Sequence, residues 1–380
     1  MVVDTMNSSL TPILGSYEKN DCKFLLQETK CEFISIEEKE KLIQSGKRHY
    51  SELLNKELEP SDDYLNLFFH FTEKYKSKLA QHVFILAEKI NHYQEGQITL
   101  VSLARAGTPI GVLVKKALEY FFNRNVVHYS ISIIRDRGID TVALDYLIKM
   151  KSYTPESIVF IDGWTAKGVI TNELKNSILT YNQENGVYIK PLLYVISDTG
   201  GVADYFASQE DYPIPSSMLN STVSGLVSRT LWQEPESQQF HGCYINRHLK
   251  DFDYSQWFIV QIASCFEDKE IIIGSKKDNY NIDAIYARKS RQKTMEEFIS
   301  SMIKKYVIDD INHIKPGIAE STRVILRRVP SLLIVRSIEC EKVKHLLMLA
   351  KEKKVKVEVD SSLLFEACAL IKSVSIEGLE

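Results

Sequence analysis

A chain of 380 residues is longer than one compact core usually encloses, which points to two domains, one large and one small, and excludes a single small binding module. Hydrophobic residues at 44%, charged residues at 26%, 16 Gly and 10 Pro are ordinary globular usage and exclude a low-complexity or collagen-like chain. A formal net charge of -3 gives no global pull toward nucleic acid or an anionic membrane, so binding of either kind needs a local patch. Met1 to Ser16 lacks a basic start followed by an apolar run, and no later stretch approaches the roughly 20 apolar residues of a membrane span. The six cysteines, Cys22, Cys31, Cys243, Cys265, Cys340 and Cys368, are scattered, with no Cys-x-x-Cys pair and no His cluster at zinc spacing. The expectation is a reduced cytoplasm and no membrane partner.

In chain order, the first 50 residues are polar and mixed and read as an arm wrapped on a larger body, without chemistry of its own. From Tyr64 to Tyr93, Leu67, Phe68, Phe71, Tyr75, Leu79, Val83, Leu86 and Ile90 recur at helical spacing and predict one or two helices covering a sheet. Strand candidates Ile98–Leu103, Val126–Ile134, Ser157–Ile161 and Ile189–Ile196 then alternate with helices near Thr108–Phe122, Thr141–Ser152 and Lys167–Gln183, the pattern of a parallel sheet flanked by helices. Asp211 to Ser255 lacks periodicity and reads as elaborate loops. After the charged stretch Lys276 to Lys293 comes a second α/β unit. Its elements are a helix (Met295–Asn312), Pro316-Gly317, another helix, strands Leu332–Val335 and Val355–Val359 around a helix Cys340–Glu352, and a last helix Ser361–Leu370. The expected domains are therefore 1–293, with an extension over 200–275, and 294–380.

Ligands of such sheets bind beyond the carboxyl ends of the strands, which singles out two loops. Ala104-Arg105-Ala106-Gly107-Thr108 follows the first strand; small residues let backbone N–H groups approach an anion, a helix N-terminus follows, and Arg105 adds a full charge. The plain alternative is a tight turn with Thr108 as N-cap and Pro109 at the first helical position. Asp162-Gly163-Trp164-Thr165-Ala166-Lys167-Gly168 follows the third strand; its acid can take ribose hydroxyls while the turn amides and Thr165 hold a phosphate. Alone, Asp162 could be turn chemistry.

Together, an Ala-Arg-Ala-Gly loop followed by four apolar residues, an acid and a Thr-x-Lys-Gly turn resemble the two signature loops of type I phosphoribosyltransferases. Gly15-Ser16-Tyr17, Ile214 to Thr230 and Phe240-His241-Gly242 extend the resemblance, over nearly the whole chain, to the phosphoribosyltransferase-like proteins encoded with bacterial tellurite and stress resistance clusters. The resemblance implies that Asp162 binds the ribose diol of phosphoribosyl pyrophosphate, Thr165 to Gly168 its 5′-phosphate and Ala104 to Thr108 the pyrophosphate, with a magnesium ion bridging leaving group and ribose. Arg135 and Arg137, in Arg135-Asp136-Arg137-Gly138, stand where that family's mobile loop closes; a solvated charged turn is the alternative. The family carries two adjacent acids, and here the second is Gly163, beside bulky Trp164.

Pro213 to Thr230 holds five Ser among Leu219, Val223, Leu226 and Val227. It reads either as an acceptor pocket, with Ser221, Ser224 and Arg229 facing the ligand, or as a Ser-rich helix. His241 and Cys243, two apart on an extended segment, share a face and make a Cys/His nucleophile pair imaginable. Some relatives bear a cysteine protease label (the StiP type), but Met218 stands where a cysteine would be expected in the Ser-rich stretch.

Between Lys315 and Lys356, eleven basic residues face four acidic ones, a local basic patch suited to RNA phosphates. Arg323 and Arg327 lie one helical turn apart. Gly317-Ile318-Ala319-Glu320-Ser321-Thr322-Arg323, with Arg327-Arg328 after it, resembles the signature of the pelota and kink-turn-binding superfamily. The resemblance implies a small α/β/α sandwich and an RNA-contacting set of Lys315, Gly317, Glu320, Thr322, Arg323, Arg327 and Arg328, with Ala319 in place of the usual Asn. Three readings follow: a phosphoribosyltransferase coupled to an RNA-binding domain, a non-catalytic ribosyl-phosphate sensor controlling RNA binding, and a cysteine protease. A homodimer is left open.

Overall fold

The computed structural model describes residues 10–273, 282–328 and 330–371. Its strands are β1 (Lys23–Leu25), β2 (Gln27–Glu28), β3 (Ile98–Ala104), β4 (Val126–Ile134), β5 (Gly138–Ile139), β6 (Ile158–Thr165), β7 (Leu193–Asp198), β8 (Tyr205–Ser208), β9 (Gly242–Cys243), β10 (Ile314–Pro316), β11 (Pro330–Val335), β12 (Lys356–Val359) and β13 (Ala367–Ile371). The α-helices are α1 (Ile36–Gln44), α2 (Asp62–Tyr93), α3 (Gly107–Phe122), α4 (Thr141–Asp145), α5 (Val169–Asn185), α6 (Ser255–Ala263), α7 (Glu270–Ile273), α8 (Ile282–Tyr306), α9 (Ile318–Arg327) and α10 (Lys344–Glu352). None of the described helices is long and apolar enough to cross a membrane.

The large sheet runs β1-β4-β3-β6-β7-β8, parallel throughout, with β5 antiparallel on β4. Alternate residues of a strand face opposite sides, and β3 shows the consequence. Leu100 joins the core under α2 and α3, while Val101 and Leu103 join the core under α4 and α5. Burial on both faces is why these strands read as continuous apolar runs. The N-terminal arm is more than a wrapping: β1 pairs in parallel with β4 and forms the sheet's edge. Asp211 to Ser255 is a run of loops and short 3₁₀ turns, as its lack of periodicity suggests.

The C-terminal sheet has the order β10-β13-β11-β12. Met295, Ile299 and Met302 of α8 cover one face with Ile314, Leu332, Ile334 and Leu370, and Ile318, Val324 and Leu346 of α9 and α10 cover the other with Leu333, Val335 and Ala369. This is the expected α/β/α sandwich, with one correction. The last helix expected over Ser361–Leu370 is a turn followed by β13, which is buried along its length and antiparallel to both β10 and β11. A short apolar run, Ala367-Cys368-Ala369-Leu370-Ile371, does not distinguish a buried strand from a helix by periodicity; its two neighbours decide. The expected boundary at 293/294 falls inside α8. Before it, Arg288, Arg291 and Gln292 bond carbonyls of the large domain; after it, α8 packs on the small sheet.

Asp211 locks the two domains together. Its two carboxylate oxygens accept the Ile318 N–H at 2.8 Å and the Glu366 N–H at 2.9 Å, both from the C-terminal domain. Gly317, at φ +87°, brings the chain so close that a Cβ there would lie 3.2 Å from Asp211 Oδ1. Asp211→Ala strands both amides, and we expect it to lower unfolding free energy by about 3 kcal/mol in urea titration.

Candidate functional site

Between the two domains, beyond the carboxyl ends of β3 and β6, lies a cleft of about 700 Å³. Its lining includes Lys39 and Tyr50 of the arm, Glu57, Arg105, Arg135, residues 164–169, Asn220, Arg229, and Lys315, Glu320, Arg323, Arg327 and Arg328 of the C-terminal domain. Eleven Lys and Arg against five Asp and Glu make it strongly cationic, in a chain that is net acidic.

The first loop reaches the cleft only through Arg105. Gly107 already begins α3 and packs on the middle of β6, where a Cβ would lie 2.6 Å from the Ile161 carbonyl; Gly163 faces Ala106 O at 3.2 Å. The small residues let two loops touch each other. Thr108 is buried and bonds Ser130 Oγ at 2.7 Å, so it caps nothing. The structure therefore leaves Ala104, Ala106, Gly107 and Thr108 behind the cleft wall, with Gly163. Arg105 pairs with Glu57 and donates to Val227 O at 2.9 Å, while its Nε is buried without a partner among the described residues. Burial opposes ionisation of Glu57, but the Arg105 and Arg327 charges and the Ser221 hydrogen bonds hold it below the usual carboxylate range.

The second loop begins later than expected. β6 continues through Thr165, paired to Asp198 of β7, so Asp162, Gly163 and Trp164 belong to the strand and the turn is Ala166 to Gly168. Asp162 takes the Gly163 N–H on one oxygen at 2.7 Å; the other makes no hydrogen bond among the described residues. Burial lifts its pKa to about 7, against the pull of Arg323. Gly168, at φ +80°, turns the chain into α5, whose N-terminus no side chain caps. Its first-turn amides and the positive end of its dipole are thus available to an anion. Lys167 donates to Ile311 O at 2.6 Å, and burial together with Lys315 brings its pKa down to about 7.

The C-terminal domain completes the cleft. Trp164 Nε1 donates to Glu320 Oε1 at 3.0 Å, and the Arg323 guanidinium lies 4.9 Å from the Trp164 ring centre. The Arg323 and Lys315 side chains make no hydrogen bond or ion pair among the described residues. Three other arginines are committed: Arg327 to Asn220, Arg328 to both oxygens of Glu40, and Arg229 to the Tyr50 and Leu53 carbonyls. Burial lowers the Arg229 pKa to about 10. The arginines of α9, expected to grip RNA phosphates, face the cleft between the domains.

Other expected site residues stand elsewhere. Arg135 lines the cleft, stacked on Tyr50 at 5.1 Å, whereas Arg137 pairs with Glu52 and lies over Trp232. Ser221 bonds Glu57, Ser224 bonds the Asn220 carbonyl, and Thr322 bonds His345, all buried; Gly317 packs against Asp211. The Cys/His pair does not form. His241 bonds Ser132 Oγ at 2.8 Å, while Cys243 is buried in the core, its thiol pushed up to about 12 by desolvation. None of the six cysteines lines the cleft. Sequence reasoning missed Lys39, Tyr50, Glu57 and Asn220, which carry no local signal because their roles depend on contacts with distant segments.

Residues 15–263 match the family described as tellurite-like stress resistance cysteine protease StiP, and residues 293–373 match the PELOTA RNA binding domain. Cysteine protease StiP of Acinetobacter baylyi is 39% identical over 376 residues, 95% of this chain and 94% of that one. Among solved structures, Trypanosoma cruzi hypoxanthine phosphoribosyltransferase in complex with its product IMP is 15% identical, covering 35% of this chain and 72% of that one at a TM-score of 0.27. Another structure of that enzyme, from work on its C-terminal region, is 14% identical, covering 36% and 74% at a TM-score of 0.26. From the long sequence match, the chain belongs to the StiP family, with a pelota-type domain at its C-terminal end.

Proposed function

We propose that the interdomain cleft is a ribosyl-phosphate site and that the chain is a phosphoribosyltransferase-type enzyme, displacing pyrophosphate from the anomeric carbon of phosphoribosyl pyrophosphate. The observation that carries this reading is the set of uncommitted groups on one cleft: the uncapped end of α5, the free oxygen of Asp162, and the unpaired side chains of Arg323 and Lys315. The α5 amides and Thr165 suit the 5′-phosphate and Asp162 a ribose hydroxyl. Fixed cations stabilise the departing anion as the ring gains oxocarbenium character.

For magnesium, the described residues offer no cluster of protein ligands. No group of three or more His, Cys, Asp or Glu able to hold a metal occurs among the described residues, and Gly163 leaves Asp162 without an adjacent acid. For the pelota domain we propose RNA binding in this same cleft, because Arg323 and Arg327 face it; RNA and ribosyl phosphate then compete.

A pyrophosphate-release assay with phosphoribosyl pyrophosphate and candidate bases, beside calorimetry, tests the reading. Turnover is expected. Binding without turnover assigns the sensor role instead, which the Arg105–Glu57 pair favours by occupying one cleft cation. Absence of binding overturns both. The family's description names a cysteine protease, and the buried Cys243 gives that chemistry no support: a thiol near 12 holds almost no thiolate at neutral pH. Cys243→Ser is expected to keep full activity in whichever assay the wild type responds.

A further inference from the structure

β6 offers the cleft one carboxylate, and the next position on the strand is crowded: a Cβ on Gly163 would lie 3.2 Å from Ala106 O. A second carboxylate arrives from the other domain. Glu320, in the first turn of α9, has Oε1 held by Trp164 Nε1–H, and Oε2 makes no hydrogen bond among the described residues. Asp162 is arranged likewise, with one oxygen on the Gly163 amide and one uncommitted. Both acids line the cleft, and Trp164, which holds Glu320, stands two residues from Asp162 on the same face of β6. Burial opposes ionisation of Glu320, but Lys315, Arg323 and the Trp164 N–H outweigh it and hold its pKa below the ordinary value.

Two neighbouring acceptor oxygens in an otherwise cationic cleft complement a molecule with anionic ends and vicinal hydroxyls, because an ionised carboxylate only accepts and a hydroxyl can donate. Resting on the ribosyl-phosphate reading, we propose that Glu320 of the C-terminal domain is the second hydroxyl acceptor of the sugar site. Asp162 and Glu320 together select a ribose diol over its 2-deoxy counterpart. The sugar site then exists only while the C-terminal domain is docked.

The test uses the full chain and calorimetry with ribose 5-phosphate, 2-deoxyribose 5-phosphate and inorganic pyrophosphate. The wild type is expected to prefer the ribo sugar by roughly tenfold, the worth of one hydrogen bond to a charged group. Glu320→Gln, similar in size and able to keep the Trp164 contact, is expected to bring that preference to about twofold or less while pyrophosphate affinity stays or rises. Glu320→Ala gives the same loss by removing the side chain, and thermal melts confirm folding. An undiminished preference in both variants overturns the role of Glu320, as does a wild type that binds both sugars equally. A wild type that binds neither sugar phosphate overturns the underlying reading of the cleft.

Discussion

Arg323→Ala is expected to weaken ribose 5-phosphate binding by roughly 10- to 100-fold, the worth of a charge-assisted hydrogen bond, while the unfolding midpoint barely moves. Both halves follow from the surroundings. The Arg323 side chain has no hydrogen bond or ion pair among the described residues, so its removal leaves no protein carboxylate without a partner across an ion pair. Burial and the nearby Arg105 disfavour its charge, with Glu320 and Asp162 holding it in place. What is lost in the free protein is the stacking on Trp164, worth about 1 kcal/mol, offset by relief of repulsion between arginines. Calorimetry beside a thermal melt reads the two halves separately. The same variant, combined with Arg327→Ala, is expected to weaken RNA binding and flatten its salt dependence. Unchanged ribose 5-phosphate affinity would remove Arg323 from the site.

Asp162→Asn is expected to abolish the pH dependence of sugar recognition and most of the recognition itself. The Asp162 pKa is raised to about 7 by burial, which brings its titration into the neutral range. Sugar hydroxyls bind the ionised form, and the advantage of ribose 5-phosphate over inorganic phosphate should therefore grow as pH rises through about 7. In Asp162→Asn that advantage should be small and flat with pH. Stability runs the other way. A carboxyl whose folded pKa lies above its unfolded value of about 4 contributes stability that is fully present below the unfolded pKa and lost as pH rises through the folded one. The wild type should thus lose stability between pH of about 4 and 7 from this group, and Asp162→Asn should not. Denaturant titrations at pH values spanning that window check the sign; parallel curves for the two proteins would refute the raised pKa.

Much of the fold is legible from local pattern. The alternation of apolar runs with helical periodicities implied a parallel sheet, and the register of β3, β4, β6 and β7 agrees because strands buried on both faces must be apolar throughout. Asp162 could be picked out because an acid after four apolar residues interrupts a buried strand, although the strand runs on to Thr165. The last element could not: β13 is short and apolar, and only pairing with β10 and β11 makes it a strand. Arg323 and Arg327 were rightly placed on one helical turn, yet spacing says nothing about whether that face meets solvent or another domain.

By itself, the sequence determined most of the elements and their order, the acid on β6, and the two domain families, all consequences of periodicity and short motifs. Only the tertiary structure decided that Trp164 meets Glu320 across 156 residues, that Glu57 takes up Arg105, and that the α9 arginines face the cleft. The reason is that backbone geometry acts over a few residues, whereas desolvation and pairing of charges depend on which distant surfaces the fold brings together.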